Sequence, residues 1–201
     1  MKRILELVIA ALLGLLALPI LALAMVGIWL IDPGPVLYAQ SRRGLHGRPF
    51  RVWKLRSMYR DSAARLERHL ADDPAARAEW ARRFKLSRDP RVLPWIGGAL
   101  RRSSIDELPQ LWNILRGEMA LVGPRPLPDY HLSACGGSFL RLRQSVRPGL
   151  TGLWQTRARE SADLPTLRRL DGYYVRNWSL RLDLGILLWT VRAVVIGKGA
   201  R

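Results

Sequence analysis

The hydrophobic pattern divides the chain into one long apolar segment and a longer remainder in which polar and apolar positions mix. Residues 7–31 carry no charged side chain, and only Lys2, Arg3 and Glu6 are charged ahead of them. As a straight helix this run extends about 37 Å at ~1.5 Å per residue, enough to cross the hydrocarbon of a bilayer. The pattern predicts a membrane segment over residues 1–31 and a second domain over residues 32–201.

Two interpretations of the apolar segment follow from its length and its flanks. Lys2 and Arg3 resemble the basic start of a secretory signal peptide, and Ala22-Leu23-Ala24 resembles its cleavage site. Against this interpretation, the apolar run continues to Ile31, beyond the usual length of a signal sequence. A helix that crosses the membrane once is the second interpretation.

A re-entrant hairpin, which enters and leaves by the same face, is the third interpretation and the one that the pattern favours. Pro19 divides the run into two halves of roughly 18 Å, each too short to span ~30 Å of hydrocarbon. Basic residues also flank both ends, whereas a crossing helix normally keeps them on the cytoplasmic side. We therefore expect a helix break at Pro19, although proline also occurs inside crossing helices.

The remaining chain predicts mainly α-helix with short β elements. Extended segments are expected over Val36–Gln40 and Pro49–Met58, and a helix from Ser104 to about Arg116, which Gly117 ends. Further helices are expected over residues 62–86 and 130–146, and from residue 163 onward. Trp178–Val195 is apolar but carries three charged residues, a pattern typical of a helix in the membrane interface; a buried amphipathic helix is the alternative.

The charge balance narrows the class of ligand to anions. The chain has 33 Lys and Arg residues against 16 Asp and Glu, a net charge of +17. Such a surface attracts nucleic acid, anionic lipids or phosphorylated substrates, and charge alone favours nucleic acid. The apolar segment argues instead for a membrane. The single cysteine, Cys135, excludes an internal disulfide and is typical of the cytoplasm.

The most informative short stretch for chemistry is Ser104-Ile105-Asp106-Glu107. Its structural interpretation is a helix capping box, in which Ser104 and Glu107 satisfy backbone groups. Its functional interpretation is phosphoryl transfer, with one carboxylate attacking phosphorus and the other binding a hard cation such as Mg²⁺. Spacing alone does not rank the two adjacent acids.

Arginines beside proline and glycine supply candidate phosphate ligands. Arg125 lies between two prolines, and Arg147 precedes Pro148-Gly149. A stiff backbone costs an arginine little freedom on binding, and its planar fork matches phosphate oxygens. Solvated surface charge is the alternative for any single one. The sequence contains no phosphate-binding P-loop and no dinucleotide fingerprint that would compete with this site.

Seven motifs in order identify a resemblance to the bacterial sugar transferases, the monotopic phosphoglycosyl transferases that start glycoconjugate and exopolysaccharide assembly on undecaprenyl phosphate. The motifs are Asp32-Pro33-Gly34-Pro35-Val36, Lys54-Leu55-Arg56-Ser57-Met58, Asp106-Glu107-Leu108-Pro109-Gln110-Leu111-Trp112-Asn113, Arg116-Gly117-Glu118-Met119, Val122-Gly123-Pro124-Arg125-Pro126, Arg147-Pro148-Gly149-Leu150-Thr151-Gly152 and Tyr173-Tyr174-Val175-Arg176-Asn177-Trp178-Ser179.

The resemblance implies a role for each candidate residue. Asp106 is the expected nucleophile, which forms a phosphosugar intermediate, and Glu107 with Asp106 the expected site of Mg²⁺, for which Mn²⁺ substitutes. The implied substrates are a UDP-sugar, with UMP released, and undecaprenyl phosphate. The expected ligands of phosphate and nucleotide, together with one further acidic position of the active-site region, are Lys54, Arg101, Arg125, Arg147, Arg159 and Asp183.

The implied fold is a re-entrant helix-break-helix plus a small cytosolic catalytic domain with interfacial amphipathic helices. It lies on the cytosolic face of the bacterial inner membrane, against anionic lipids, with downstream glycosyltransferases as further partners and no nucleic acid. It also implies the minimal catalytic form of the family. Two departures stand out: Leu18-Pro19 replaces the usual Ser-Pro at the break, and residues 156–162 leave Arg157 as an alternative to Arg159.

Two rival functions remain at this point. A nucleic-acid-binding protein on a membrane anchor explains the charge but neither the acidic pair nor the stiff loop around Arg125. A non-catalytic scaffold in a polysaccharide assembly complex has no need of intact Asp106 and Glu107.

Overall fold

Helices make up most of the chain in the computed structural model, which describes residues 2–83, 86–133, 135–158 and 163–196. The helices are α1 (Lys2–Ile31), α2 (Ser62–Asp72), α3 (Pro74–Arg83), α4 (Ile96–Ser103), α5 (Gln110–Leu115), α6 (Asp129–Ser133), α7 (Gly137–Arg143), α8 (Leu153–Arg157), α9 (Leu164–Arg176) and α10 (Leu180–Ile196). The strands are β1 (Leu37–Arg43), β2 (Pro49–Leu55), β3 (Ala120–Val122) and β4 (Gly149–Thr151). This confirms the mainly helical fold with short strands.

Helix α1 is continuous through Pro19 over all 30 of its residues. The predicted division into two half-helices is therefore not what the structure shows. A proline removes one backbone N–H and crowds the preceding turn, but the turns on either side keep their hydrogen bonds, so a helix in an apolar setting bends more readily than it breaks. Among the described residues, α1 is the one helix long and apolar enough to cross a membrane.

One face of α1 packs along the rest of the protein. Ala10, Ala17 and Ala24 recur every seven residues and are buried, whereas the large apolar side chains around them are exposed. Ala10 belongs to a core cluster with α5, β3 and α10, and Ala24 and Ile28 belong to a second cluster with Leu55, Leu93 and Leu100. The small alanine side chains let the backbone of α1 approach the rest of the protein closely. Both ends of α1 contact the same domain.

Two small sheets organise the domain. Strands β1 and β2 form an antiparallel hairpin in which Tyr38 pairs with Lys54, and β3 runs parallel to β4, with Ala120 opposite Gly149. The second pair is very close, because a Cβ added to Gly149 would lie 2.1 Å from the backbone nitrogen of Gly123. Only glycine fits there, and this contact fixes the start of Val122–Pro126, the connector that carries Arg125.

Helix α10 presents an apolar face to solvent. Ile186 is buried in the core, whereas Leu180, Leu184, Leu188 and Val191 are exposed. These four positions are spaced by three or four residues, so they share one side of the helix. Such a face is what an interfacial helix requires, and its contact with lipid stays a prediction.

Candidate active site

The acidic pair lies on a tight turn between α4 and α5. Ser104 has a left-handed backbone (φ 59°), and Ile105–Glu107 forms a single 3-10 turn before α5 begins at Gln110. The continuous helix predicted from Ser104 is therefore wrong, and so is the capping box, because the Ser104 side chain makes no cap hydrogen bond. A non-glycine residue with positive φ is costly and is often found at functional sites.

Glu107 is buried between two cations from different parts of the chain. Its Oε1 accepts hydrogen bonds from Lys54 Nζ at 2.7 Å and from Arg125 Nη2 at 2.5 Å, and its Oε2 accepts from Arg125 Nη1 at 3.3 Å. Burial raises the pKa of Glu107, but the charges and hydrogen bonds of Arg125 and Lys54 outweigh it and hold the pKa far below its usual range. Glu107 is therefore ionised at all physiological pH values.

Asp106 has a different environment. It is only 8% exposed and accepts no hydrogen bond within the described chain. Burial raises its pKa, and the neighbouring charge of Glu107 adds to this, whereas Lys54, Arg101 and Arg125 act in the opposite direction. A carboxylate without hydrogen bonds keeps its lone pairs available, which suits a nucleophile.

The structure brings only part of the predicted set together. Lys54 and Arg125 converge on the acidic pair, and Arg101, exposed near the end of α4, adds positive charge near Asp106. Arg147 is exposed and its Nε donates to the carbonyl of Gly117 at 2.8 Å; in the described part of the chain it makes no hydrogen bond or ion pair with the acidic pair. Arg159 lies outside the described residues.

Its alternative, Arg157, is described: its guanidinium lies 3.6 Å from the ring centroid of Trp189 on α10. This contact holds Arg157 against the domain by a cation–π interaction.

Asp183 belongs to a second polar cluster that attaches the start of α1. Its carboxylate accepts hydrogen bonds from Tyr174 Oη at 2.8 Å and Trp178 Nε1 at 2.9 Å, and Lys2 Nζ lies 2.8 Å from it. Beside it, Glu6 accepts a hydrogen bond from the backbone nitrogen of Leu121 at 3.2 Å. These contacts attach the start of α1 to β3, α9 and α10, and among the described residues none joins Asp183 to the acidic pair.

The two acids fit one Mg²⁺ only in part. Asp106 has free lone pairs and Glu107 Oε2 accepts a single long hydrogen bond, so each can offer one oxygen. No group of three or more metal-ligating side chains exists among the described residues. In nucleotide sites, Mg²⁺ is bound by one or two carboxylates together with phosphate oxygens of the substrate. Asp106 and Glu107 could supply those carboxylates.

Asn113 joins β2 to α5, a role that the sequence analysis did not predict. Asn113 is fully buried; its Nδ2 donates to the carbonyl of Arg51 at 2.7 Å and its Oδ1 accepts from the backbone nitrogen of Trp53 at 3.2 Å. These bonds fix the strand that carries Lys54 against the helix that follows the acids. A polar residue inside an apolar helical stretch was the available signal.

A further missed residue is Gln155, which follows Trp154 in α8. Both polar atoms of its side-chain amide are buried and have no hydrogen-bond partner in the described structure. Such orphaned groups are rare and call for an explanation. Its position beside Gly152, which approaches the backbone of Gly123, places it next to the start of the Arg125 connector.

Comparison with known proteins matches residues 1–197 to the family described as bacterial sugar transferase. The chain is 40% identical to the undecaprenyl-phosphate galactose phosphotransferase of Salmonella typhimurium, over all of this chain and 41% of that protein. It is 41% identical to the exopolysaccharide production protein ExoY of Sinorhizobium fredii, over 96% of this chain and 85% of that protein.

It is also 42% identical to the UDP-glucose:undecaprenyl-phosphate glucose-1-phosphate transferase of Caulobacter vibrioides, over 99% of this chain and 71% of that protein. These relatives differ in length. The chain spans about two fifths of the Salmonella protein but most of ExoY.

Proposed function

Since the chain belongs to the bacterial sugar transferase family, we propose that it transfers a sugar 1-phosphate from a UDP-sugar to undecaprenyl phosphate and releases UMP. The observation that carries the proposal is the buried pair of Asp106 and Glu107, in which one carboxylate is free of hydrogen bonds and the other is held between Lys54 and Arg125. The names of the relatives supply the substrate class.

The proposed reaction has two steps at one phosphorus atom. A carboxylate oxygen of Asp106 attacks the phosphorus bonded to the sugar; the bond from that phosphorus to the bridging oxygen breaks, and UMP leaves with the electron pair. A phosphate oxygen of undecaprenyl phosphate then attacks the same phosphorus and the aspartyl oxygen leaves as carboxylate. Dividing the transfer in two avoids holding both anionic substrates together in line.

The charged groups around Asp106 support this chemistry by position. Lys54 and Arg125 fix Glu107 and contribute positive charge where the diphosphate of the donor has to approach, and Arg101 extends this charge outward. Asp106 and Glu107 would hold Mg²⁺ together with the diphosphate. When bound, the ion would neutralise the phosphate oxygens and so lower the repulsion that the attacking carboxylate meets.

The proposed location is the cytosolic face of the bacterial inner membrane, with both ends of the continuous helix α1 on that side. Its support is that both ends of α1 contact one domain. Arg3 donates to the carbonyl of Ile114 in α5, Glu6 accepts from Leu121 in β3 and Lys2 pairs with Asp183 in α10. At the other end, Ile28 packs with Leu55 and Leu93. A helix that crosses the bilayer has its ends ~30 Å or more apart on opposite sides. Anionic lipids and downstream glycosyltransferases are the proposed partners.

The direct test measures UMP release by the purified protein over a panel of UDP-sugars, with undecaprenyl phosphate in detergent or nanodiscs. We expect one donor or a small set to give turnover that depends on the lipid and disappears in Asp106→Asn. Salt-sensitive binding of arbitrary RNA, with no UMP from any donor, would instead support the nucleic-acid rival.

A further inference from the structure

A buried ion pair behind the acidic pair is not used by the proposed chemistry. Arg143, in the last turn of α7, donates from Nε to Asp171 Oδ2 of α9 at 2.8 Å, and the two side chains are 5% and 2% exposed. The free energy needed to remove two charges from water nearly equals the free energy gained from their attraction. An apolar pair of the same volume often stabilises a protein equally well. A pair retained in this position calls for another explanation.

The second end of the Arg143 guanidinium leads towards the site. Its Nη2 donates to the backbone carbonyl of Arg125, the residue whose side chain holds Glu107. Arg125 stands between Pro124 and Pro126, which have no N–H to donate. The two prolines cannot donate, so the carbonyls of Pro124 and Arg125 supply hydrogen bonds that hold the connector. The Gly149 N–H donates to Pro124 O at 2.9 Å, and at the start of the connector the Gly123 N–H donates to Thr151 O at 2.9 Å.

Asp171 makes this arrangement possible by neutralising Arg143. Without that carboxylate, a buried guanidinium would lie beside Arg125 and add an uncompensated positive charge close to a site that already holds Lys54 and Arg101. With it, Arg143 is electrically paired on one side and is a hydrogen-bond donor on the other.

We propose that Asp171 and Arg143 are positioning residues: through the carbonyl of Arg125 they fix the connector and so aim the Arg125 guanidinium at Glu107. The inference rests on the proposed function for its kinetic consequence only; the mechanical part concerns the free protein. A displacement of about 1 Å in a catalytic site can cost roughly a hundredfold in rate. Loss of the pair is therefore expected to slow the first half-reaction and to leave donor binding nearly unchanged.

The test compares Asp171→Asn and Arg143→Lys with wild type in the full-length protein. Asp171→Asn removes the charge that pairs with Arg143, and Arg143→Lys keeps the charge but loses the fork, so that it reaches only one of the two partners. The matched control for exchange is Asp89→Asn, which breaks the Asp89–Arg91 pair (2.6 Å; side chains 11% and 16% exposed) in a part of the molecule that does not contact Arg125. The charge of Asp89 acts on Arg101, so this variant serves as a control for exchange and not for the rate.

The first readout needs no activity. Hydrogen exchange of the amides of residues 122–127 is expected to rise severalfold in both variants and to stay at the wild-type level in Asp89→Asn, with α2 unchanged throughout. The second readout is the rate of UMP release from donor alone, which is expected to fall roughly tenfold to a hundredfold in Asp171→Asn, with a smaller loss in Arg143→Lys and little change in KM for the donor.

Normal exchange at residues 122–127 together with a rate within twofold of wild type, in either variant, overturns the proposal. Uniformly faster exchange over the whole chain with a normal rate also overturns it, since the pair would then serve stability alone. If Asp171→Asn does not fold, Arg143→Lys decides by the same criteria. If wild type releases no UMP, the proposed function fails, and exchange alone decides the positioning claim.

Discussion

Two adjacent carboxyl groups have opposite electrostatic environments. Glu107 is held by two cations and its pKa is strongly lowered, whereas Asp106 accepts no hydrogen bond in the described chain and its pKa is raised. Pairs of titratable groups whose pKa values are driven apart are typical of sites with divided roles. At the scale of single residues this difference supports the proposed roles, Asp106 as nucleophile and Glu107 as the group that organises charge, which the sequence spacing did not rank.

Asp106→Asn is expected to stabilise the protein while it abolishes activity. Because the pKa of Asp106 is raised in the folded state, its ionised form disfavours folding; the penalty is present above the folded pKa and disappears below the unfolded value near 3.8. Thermal unfolding should therefore show a higher Tm for Asp106→Asn at pH 7.5, and the difference should shrink as the pH falls towards 4. An equal or lower Tm at pH 7.5 would contradict a desolvated carboxylate.

Glu107→Gln is expected to have the opposite effect on stability. The lowered pKa means that ionised Glu107 stabilises the fold above its unfolded pKa near 4.5, and this contribution is lost only in strong acid. Removing it leaves Lys54 and Arg125 without their partner, at a cost of about 3 kcal/mol. Denaturant unfolding at pH 7.5 checks the free energy of unfolding, and the variant should remain folded in buffer.

The same variant tests the metal. Turnover is expected to need Mg²⁺ or Mn²⁺, and Glu107→Gln should lose roughly a hundredfold or more in rate because it removes a ligand and a charge together. A titration of UMP release against Mg²⁺ after treatment with EDTA measures both effects. Full activity of wild type in excess EDTA would show that turnover does not depend on a metal ion.

At the scale of elements, the resemblance anticipated more than the periodicity did. The hairpin that carries Lys54 and the connector that carries Arg125 were expected near Asp106, and the structure brings both to Glu107. The continuous helix predicted from Ser104 is wrong. The left-handed backbone of Ser104 and the 3-10 turn after it depend on tertiary contacts, which the local sequence pattern does not indicate. Asp183, which the resemblance assigns to another acidic position of the active-site region, binds Lys2, Tyr174 and Trp178 and makes no direct contact with Asp106 or Glu107 among the described residues.

The position of the two ends of α1 relative to the membrane can be tested directly. Both ends of α1 should face the cytoplasm, because its first turn is hydrogen-bonded to the domain and its last turns pack into that same domain. Single cysteines at Ile4 and Ser41, in a Cys135→Ser background, should both resist an impermeant thiol reagent in intact cells. Both should react after permeabilisation, which serves as the control. Labelling of only one site in intact cells would show a crossing helix.

At the scale of the whole molecule, charge, membrane segment and site have one common explanation. A net charge of +17 suits the proposed function, in which both substrates and the surrounding lipids would be anionic. The exposed apolar faces of α1 and α10 would give the domain a surface for the bilayer, where the proposed acceptor lipid resides. In the proposed reaction, a soluble donor and a membrane-bound acceptor would then reach the Asp106 carboxylate in turn.

The central claim is that Asp106 carries the sugar phosphate between the two substrates, and donor alone tests it most directly. Wild type incubated with its UDP-sugar and Mg²⁺, without lipid, should release UMP in an amount close to that of the enzyme. Mass spectrometry should find a phosphosugar on the peptide that contains Asp106. Asp106→Asn should show neither signal, and the control Asp129→Asn, at an exposed acid paired with Arg43, should show both. An Asn variant at position 106 that transfers sugar at a near-normal rate, with no adduct on wild type, would contradict the account.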